Sequence, residues 1–222
     1  MKRRRHTAVQ ERAFTLVEVL LALALLAALL AALNHFTFSI TDLWARRQEQ
    51  VVFQQHARAV GRRIDAMLRT AADNARRSGA TTGATEAGEI AVPEGGRETL
   101  LLFDLPAGDP VMAWPERPLP EVSCALGWRN GEGLILYWKS RLELDFDTAA
   151  PRKTVLSSFV TGISYDYYDT ESQTWEQKDE LRESGTTVET PGRIRLRFQR
   201  KQDTIEEIII VPDPAVEGVP AF

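Results

Sequence analysis

One apolar run dominates the pattern of hydrophobic and polar positions along the chain. It covers residues 14–33, which include nine leucines and one charged side chain, Glu18. A helix of that length measures about 30 Å, the thickness of the hydrocarbon core of a bilayer. The run therefore predicts a transmembrane helix, assigned to residues 14–36. Its marker positions are Phe14, Leu20, Leu26 and Leu33.

A helical pattern continues beyond the apolar run. From Asn34 onward apolar side chains recur mostly at steps of three and four, the spacing of one face of a helix. This predicts one helix from about Phe14 to Arg77, ended by the glycine of "RRSGATTG". We expect the stripe to be the core face against a sheet. Its members are Phe36, Ile40, Leu43, Trp44, Val51, Phe53, Ala57, Val60, Ile64, Met67, Leu68 and Ala71.

The second half of the chain has the pattern of β-strands. The glycine-rich residues 79–98 predict a surface loop with a short strand at "EIAV". Alternation in "RIRLRFQRK" places Ile194, Leu196 and Phe198 on one face, as in an antiparallel sheet with one covered side. The expected fold class is α+β: a long N-terminal helix, membrane-spanning in its first half, packed against an antiparallel β-sheet. The segments predicted as strands are "TLLLFDL", "GLILYWKS", "RLELDFD", "TVLSSFV", "ISYDYYD", "RIRLRFQRK" and "EEIIIVP".

Charge divides the chain into parts. Residues 1–13 hold five Lys or Arg against one acid, so this side of the span should stay in the cytoplasm, with everything after Leu33 outside. From Gly79 onward there are 14 basic and 25 acidic side chains. Because phosphates require Lys and Arg contacts, this acidic balance leads us to expect no nucleic-acid partner.

Residue types typical of catalysis or metal binding are few. The chain has three histidines and one cysteine, Cys124, and it carries neither a Gly-x-Ser-x-Gly nucleophile motif nor a glycine-rich phosphate loop. Acidic pairs such as Asp145 with Asp147 offer oxygens to calcium, but such pairs are more often solvated. We expect no enzymatic activity, no cofactor and no metal site.

Two further groups are open to two interpretations. Tyr165 and Tyr167 are expected in the core, with Tyr168 and Trp175 beside its edge; the alternative is an aromatic binding surface. The arginines opposite the apolar stripe either meet acidic partner domains or form a solvated face. They are Arg46, Arg47, Arg58, Arg62, Arg63 and Arg69.

Glu18 needs an explanation, because a carboxylate inside lipid is costly. A removed secretory signal is disfavoured, since its apolar stretch has only about 7–15 residues, and a plain anchor gives the acid no role. The stretch "RAFTLVEVLLALALLAAL" resembles the type IV prepilin signature, in which a basic leader ends before Phe and Glu occupies the fifth mature position. The resemblance implies a cut between Ala13 and Phe14, followed by methylation of the Phe14 amine. Ala13 stands where the family usually has Gly, so we expect cleavage with reduced efficiency.

Cleavage would give Glu18 a partner. The new amine on Phe14 is a cation, and residues four apart lie one turn apart on the same helix face. Glu18 is thus placed to neutralise its own amine or that of a neighbouring subunit, which restores most of the cost of an unpaired charge in lipid. In the resembled family this contact sets the axial register between subunits.

The C-terminal half carries a second resemblance. The order "VLSSFVTGISYDYYD…W…PGRIRLRF…IIIVP" resembles the J-type minor pseudopilins of type II secretion systems. The resemblance implies a non-catalytic subunit at the tip of a periplasmic pseudopilus, in contact with I-type and K-type minor pseudopilins and with the major pseudopilin. Alternatives remain open: a minor pilin of a type IV pilus or competence system, or an uncut single-pass anchored periplasmic enzyme or binding protein with a ligand pocket.

The resulting organisation has four parts. A basic leader (1–13) precedes the transmembrane helix (14–36), the soluble half of the helix (37–78) and a periplasmic β-rich domain (79–222). A prepilin peptidase and the inner membrane are the remaining expected partners.

Overall fold

The structure is a computed structural model. It has one α-helix and eleven strands within the part of the chain that it describes. The chain divides into two compact units, residues 1–51 and 52–222. The described residues are 15–79, 84–93, 95–114, 116–184 and 187–212.

Helix α1 runs over Leu16–Ser78 and contributes residues to both units. The strands, in chain order, are β1 (Thr85–Ala91), β2 (Arg97–Ala107), β3 (Pro120–Arg129), β4 (Gly133–Ser140), β5 (Arg152–Ser157), β6 (Val160–Asp169), β7 (Thr174–Lys178), β8 (Glu183–Ser184), β9 (Thr187–Val188), β10 (Arg193–Arg200) and β11 (Asp203–Ile210).

The first unit contains the N-terminal part of α1. Leucine and alanine dominate its sequence, and both have high helix propensity. Its large apolar side chains are exposed, Leu16 to 78% and Phe38 to 71%. This part of α1 is therefore an apolar helix whose surface no described residue covers.

The second unit is built from two antiparallel sheets and the C-terminal part of α1. The five-stranded sheet has the order β1-β2-β3-β4-β5, so each strand pairs with the next in the chain. The four-stranded sheet has the order β11-β10-β6-β7, and β8 pairs with β9. The expected α+β fold, a long helix against antiparallel strands, is confirmed.

A single core joins α1 to both sheets. From Phe53 onward the helix turns a stripe inward, with Ile64 and Leu68 fully buried. Leu126 from the five-stranded sheet and Ile194 from the four-stranded sheet belong to the same apolar cluster. The other residues predicted on the inner face of β10, Leu196 and Phe198, are also fully buried, as their alternation indicates.

The apolar stripe is a core face only in its second half. Phe36, Leu43 and Trp44 are exposed to 62%, 58% and 74%, and Ile40 and Val51 are exposed as well. The prediction that the whole stripe packs on a sheet is therefore wrong before Phe53. Periodicity reports that a face is apolar, but it does not report what covers that face.

The segment "RLELDFD" is not a strand. Residues 141–147 form successive turns after β4. The carboxylate of Glu143 accepts a hydrogen bond from the backbone N–H of Ser140 at 2.8 Å and one from Arg152 at 2.6 Å. Lys139 donates to the carbonyl oxygens of Phe146 and Ala149. Because side chains satisfy these backbone groups, the segment needs no strand partner.

One additional strand and two strand boundaries differ from the prediction. Strand β3 was not predicted, because small residues such as Ser123 and Ala125 alternate with its inner residues and hide the apolar pattern. "TVLSSFV" contains the turn between β5 and β6, and β1 is longer than "EIAV".

The turn between β3 and β4 requires glycine at Gly133. Its φ is +91°, and an added Cβ would lie 2.1 Å from the carbonyl oxygen of Ser157. Both features exclude other residues, so Gly133 allows β5 to approach the start of β4.

Cys124 lies on the inner face of β3 and is 1% exposed. Burial, with a smaller effect of Asp104 and Asp109, raises the pKa of its thiol far above the usual range. The nucleophilic thiolate is therefore suppressed in the folded state.

Two isoleucines on neighbouring strands test the assignment of the core. Ile194 on β10 is fully buried and Ile208 on β11 is 49% exposed. We expect Ile194→Ala to lower the free energy of unfolding by about 2–5 kcal/mol, because it leaves a cavity. Ile208→Ala should cost less than about 1 kcal/mol. Urea denaturation of the detergent-solubilised chain measures both, and equal losses would contradict the placement of β10 and β11.

The thiol of Cys124 provides a second check of the core. We expect a maleimide to modify the native chain on the order of 10³-fold more slowly than the urea-unfolded chain, since reaction requires opening of the core. Mass spectrometry after timed quenching gives both rates. Comparable rates would show that β3 does not lie in the core.

Candidate functional site

The candidate site lies at the start of α1. Thr15 precedes the first helical residue, and its side-chain oxygen accepts a hydrogen bond from the backbone N–H of Glu18 at 3.3 Å. Its carbonyl oxygen also accepts bonds from the N–H groups of Glu18 and Val19. Thr15 is therefore the N-cap of the helix, a role in which Thr is favoured.

The sequence contained a signal for this cap. Thr15 and Glu18 form the spacing T-x-x-E, which marks the start of many helices. The pattern was missed because the apolar run was read as extending from Phe14 without a separate start. The described helix begins at Leu16.

Glu18 occupies the first turn of α1. The N-terminal end of a helix carries a partial positive charge, so a carboxylate there is stabilised. The side chain is exposed, and its carboxylate has no hydrogen-bond or ion-pair partner among the described residues. Glu18 is thus the one charged side chain within the stretch Leu16–Thr41, and its carboxylate is available to a cation from outside the described residues.

The apolar positions predicted for the span lie on this same helix. Leu20, Leu26 and Leu33 are exposed to 58%, 52% and 52%. The stretch Leu16–Thr41 is long and apolar enough to cross a membrane, with a mean hydropathy of 2.8. Its length and exposure fit a membrane anchor.

Two predicted site residues, Ala13 and Phe14, lie outside the described residues. The cleavage position between them and the methylation of Phe14 stay predictions. The leader, residues 1–13, lies outside as well.

The aromatic group of the four-stranded sheet divides as expected. Tyr165 and Tyr167 are 4% and 1% exposed, and burial raises the pKa of both phenols. Tyr168 and Trp175 stack on the other face with ring centroids 5.1 Å apart. Arg193 lies 3.8 Å above the Trp175 ring. The buried pair is structural, and the outer pair is engaged within its own sheet.

Other candidate groups have structural contacts. His56 makes a 2.8 Å hydrogen bond to Ser157 between α1 and β5, so it does not pair with Cys124. Among the described residues no group of three His, Cys, Asp or Glu side chains is placed to hold a metal ion.

The arginine face of α1 is partly paired. Arg63 bonds to Asp109 and Arg69 bonds to Asp65. Arg58 and Arg62 are exposed and have no carboxylate partner within the described part of the chain. Arg47 is exposed and without an ion-pair partner in the same part of the chain. The face therefore combines local ion pairs with exposed, unpaired cations.

Comparison with known protein families identifies the N-terminal region. A family model, the Prokaryotic N-terminal methylation motif, matches residues 10–34, a range that contains Ala13, Phe14 and Glu18. No significant match to the chain is found among curated proteins. The motif supports a type IV prepilin-like protein of structural, pilin type. It implies processing by a prepilin peptidase and assembly into a pilus or pseudopilus.

Proposed function

We propose that the protein is a minor pseudopilin of a type II secretion system. The observation that carries this proposal is the methylation motif over residues 10–34. Within the motif Glu18 lies in the first turn of α1, before a stretch from Val19 to Thr41 that has no charged side chain, and its carboxylate has no partner among the described residues. The C-terminal likeness to J-type pseudopilins supports secretion in particular. Pilins of type IV pilus and competence systems often have a cysteine pair near the C-terminus, and this chain, with Cys124 as its one cysteine, has none.

The proposed mechanism begins at the membrane. A prepilin peptidase cuts the amide bond between Ala13 and Phe14 on the cytoplasmic side and releases residues 1–13. The new α-amine on Phe14 is then methylated and remains a cation. Phe14 precedes Glu18 by four residues in the chain, so the proposed cation and the carboxylate belong to the same N-terminal end of the mature subunit.

The carboxylate and the cation then determine assembly. A subunit that leaves the lipid for the fibre carries both charges into apolar surroundings, where unpaired charges are costly. Pairing of Glu18 with the amine of a neighbouring subunit offsets this cost only at one axial offset. The pair thus selects the register in which the subunit joins the pseudopilus.

The partners follow from this role. In the proposed pseudopilus tip the chain contacts I-type and K-type minor pseudopilins, and the major pseudopilin continues the fibre. The β-rich domain lies in the periplasm and the subunit rests in the inner membrane before assembly. It acts through contacts and has no reaction of its own.

The N-terminus of the protein from cells tests the class. We expect mass spectrometry to find a chain that begins at N-methylated Phe14 when the prepilin peptidase is present. The full precursor from Met1 should accumulate when the peptidase gene is deleted. An intact Met1 in cells with an active peptidase would instead favour a permanently anchored protein.

Loss of the gene distinguishes the two assembly systems. Reduced export of secreted enzymes, with normal motility and DNA uptake, would support the secretion role. The reverse pattern would assign the chain to a pilus or competence system.

The role of Glu18 is tested by substitution. We expect Glu18→Ala to insert and to be processed, but to enter fibres at least about tenfold less, a change equivalent to about 1.4 kcal/mol. Crosslinking to neighbouring subunits measures incorporation. Val19→Ala, a truncation at the adjacent exposed position, is the matched control and should assemble normally. Normal incorporation of Glu18→Ala would refute the pairing.

A further inference from the structure

The depth of α1 in the bilayer can be inferred from both ends of its charge-free stretch. No Asp, Glu, Lys or Arg occurs between Val19 and Thr41, a run of 23 residues. Its helical length of about 34 Å exceeds the roughly 30 Å of the hydrocarbon core. Two placements therefore compete: hydrocarbon around residues 14–33, or a placement about one to two turns further along the chain.

Two threonine hydroxyls at the far end of the run are compatible with the second placement. The hydroxyls of Thr37 and Thr41 donate to the carbonyl oxygens of Leu33 and Thr37, each at 2.9 Å. A hydroxyl that is satisfied within its own helix can enter lipid without an unpaired donor. The helix thus satisfies the hydroxyls of Thr37 and Thr41 within itself, and Asn34, His35 and Ser39 are the other polar side chains of this end of the run.

Trp44 lies where we place the membrane interface at the far end of the run. It follows Thr41 by less than one turn, and its side chain is 74% exposed. Arg47 lies one turn further on, exposed and without an ion-pair partner among the described residues. Tryptophan is enriched at the headgroup level of membranes, and an arginine near the end of a membrane helix extends its guanidinium to the same interface.

The opposite end has matching features. Thr15 caps the helix and Glu18 lies in its first turn. Trp44 follows Glu18 by 26 residues, about 39 Å of helix. A bilayer with its headgroup layers measures about 40–45 Å, so the two residues can lie in opposite headgroup layers at once.

We infer that Trp44 and Arg47 form a lipid-interface anchor that holds Glu18 in the cytoplasmic headgroup layer of the bilayer. The exposed side chains of Trp44 and Arg47 contact the headgroup region of a membrane that contains anionic lipid. The inference rests on the membrane insertion that the proposed function requires, and it specifies the depth of that insertion.

With this anchor, Glu18 is not transferred into apolar surroundings at the time of membrane insertion. The free-energy cost of that transfer arises later, during assembly. In the resting membrane the carboxylate stays hydrated, and the peptide bond after Ala13 lies on the aqueous side, within reach of a peptidase. Glu18 meets apolar surroundings only when the subunit rises into a fibre. The anchor thus keeps the precursor at the depth at which it can be cut.

Cysteine accessibility measures this depth. Single cysteines replace Val17, Phe38 or Gln48 in the full-length precursor, held in nanodiscs of phosphatidylethanolamine and phosphatidylglycerol that expose both faces. Val17 and Phe38 are 72% and 71% exposed, so no described residue shields them and lipid is the shield that the test detects. A membrane-impermeant maleimide is the probe, and the unsubstituted chain, with its buried Cys124, is the background.

The expected pattern is labelling at V17C and Q48C and protection at F38C until detergent is added. The opposite pattern, protection at V17C with labelling at F38C, would place hydrocarbon on residues 14–33 and overturn the inference. Labelling at all three positions shows that the helix is not inserted, which overturns the membrane requirement of the proposed function as well.

Trp44 itself is tested in the same nanodiscs. We expect Trp44→Ala to slow labelling at V17C and to speed labelling at F38C by about threefold or more, because the helix loses its fixed depth. Leu43→Ala, at the adjacent exposed position, is the matched control and should leave both rates unchanged. Unchanged rates in Trp44→Ala would remove Trp44 from the anchor. An uncut chain in cells with this labelling pattern would refute the proposed function and leave the depth assignment intact.

Discussion

The central constraint on this protein is the carboxylate of Glu18, the one charged group within the apolar stretch Leu16–Thr41 of α1. Glu18 lies in the first turn of α1, where the partial positive charge of the helix N-terminus stabilises a carboxylate, and Thr15 caps the helix beside it. The carboxylate has no cationic partner within the described residues. Apolar surroundings penalise such a group until a counter-charge arrives. The proposed cleavage before Phe14 creates such a counter-charge four residues before Glu18 in the chain.

The same helix serves two different environments. Its leucine-rich part has exposed apolar side chains, whereas Ile64, Leu68 and their neighbours complete the core of the β-rich unit. The β-rich unit therefore depends on the helix for its own stability, and a domain cut before Val52 would keep its core intact. Among the buried polar groups of this unit, Asp166 is paired with Arg195 at 2.9 Å.

The long helix could be predicted from its uninterrupted apolar run and from the helical spacing that follows it, and β10 could be predicted from its strict alternation. Strand β3 could not, because small residues such as Ser123 and Ala125 interrupt its apolar contrast. Residues 141–147 alternate like a strand, but Glu143 and Lys139 bond the local backbone and hold it in turns. Local side-chain bonds of this kind have no periodic signature.

Part of the candidate site could be predicted from the sequence, because a single charge in an apolar run is visible without any periodic pattern. Glu18 stands out by charge alone, and the motif match over residues 10–34 agrees with its assignment. The cap at Thr15 had a local signal in T-x-x-E, yet the exposed faces at Phe36 and Trp44 had none. A stripe that packs on a sheet and a stripe that faces lipid or another subunit have the same spacing.

The most direct test of the charge pair is zero-length crosslinking in assembled fibres. A carbodiimide joins a carboxylate to an amine only when the two groups are in contact. The account predicts an amide between the Glu18 side chain and the Phe14 α-amine, identified by mass spectrometry of the digested fibre. Fibres that contain the chain and yield no such link, while other contacting acid–amine pairs are joined, would contradict it.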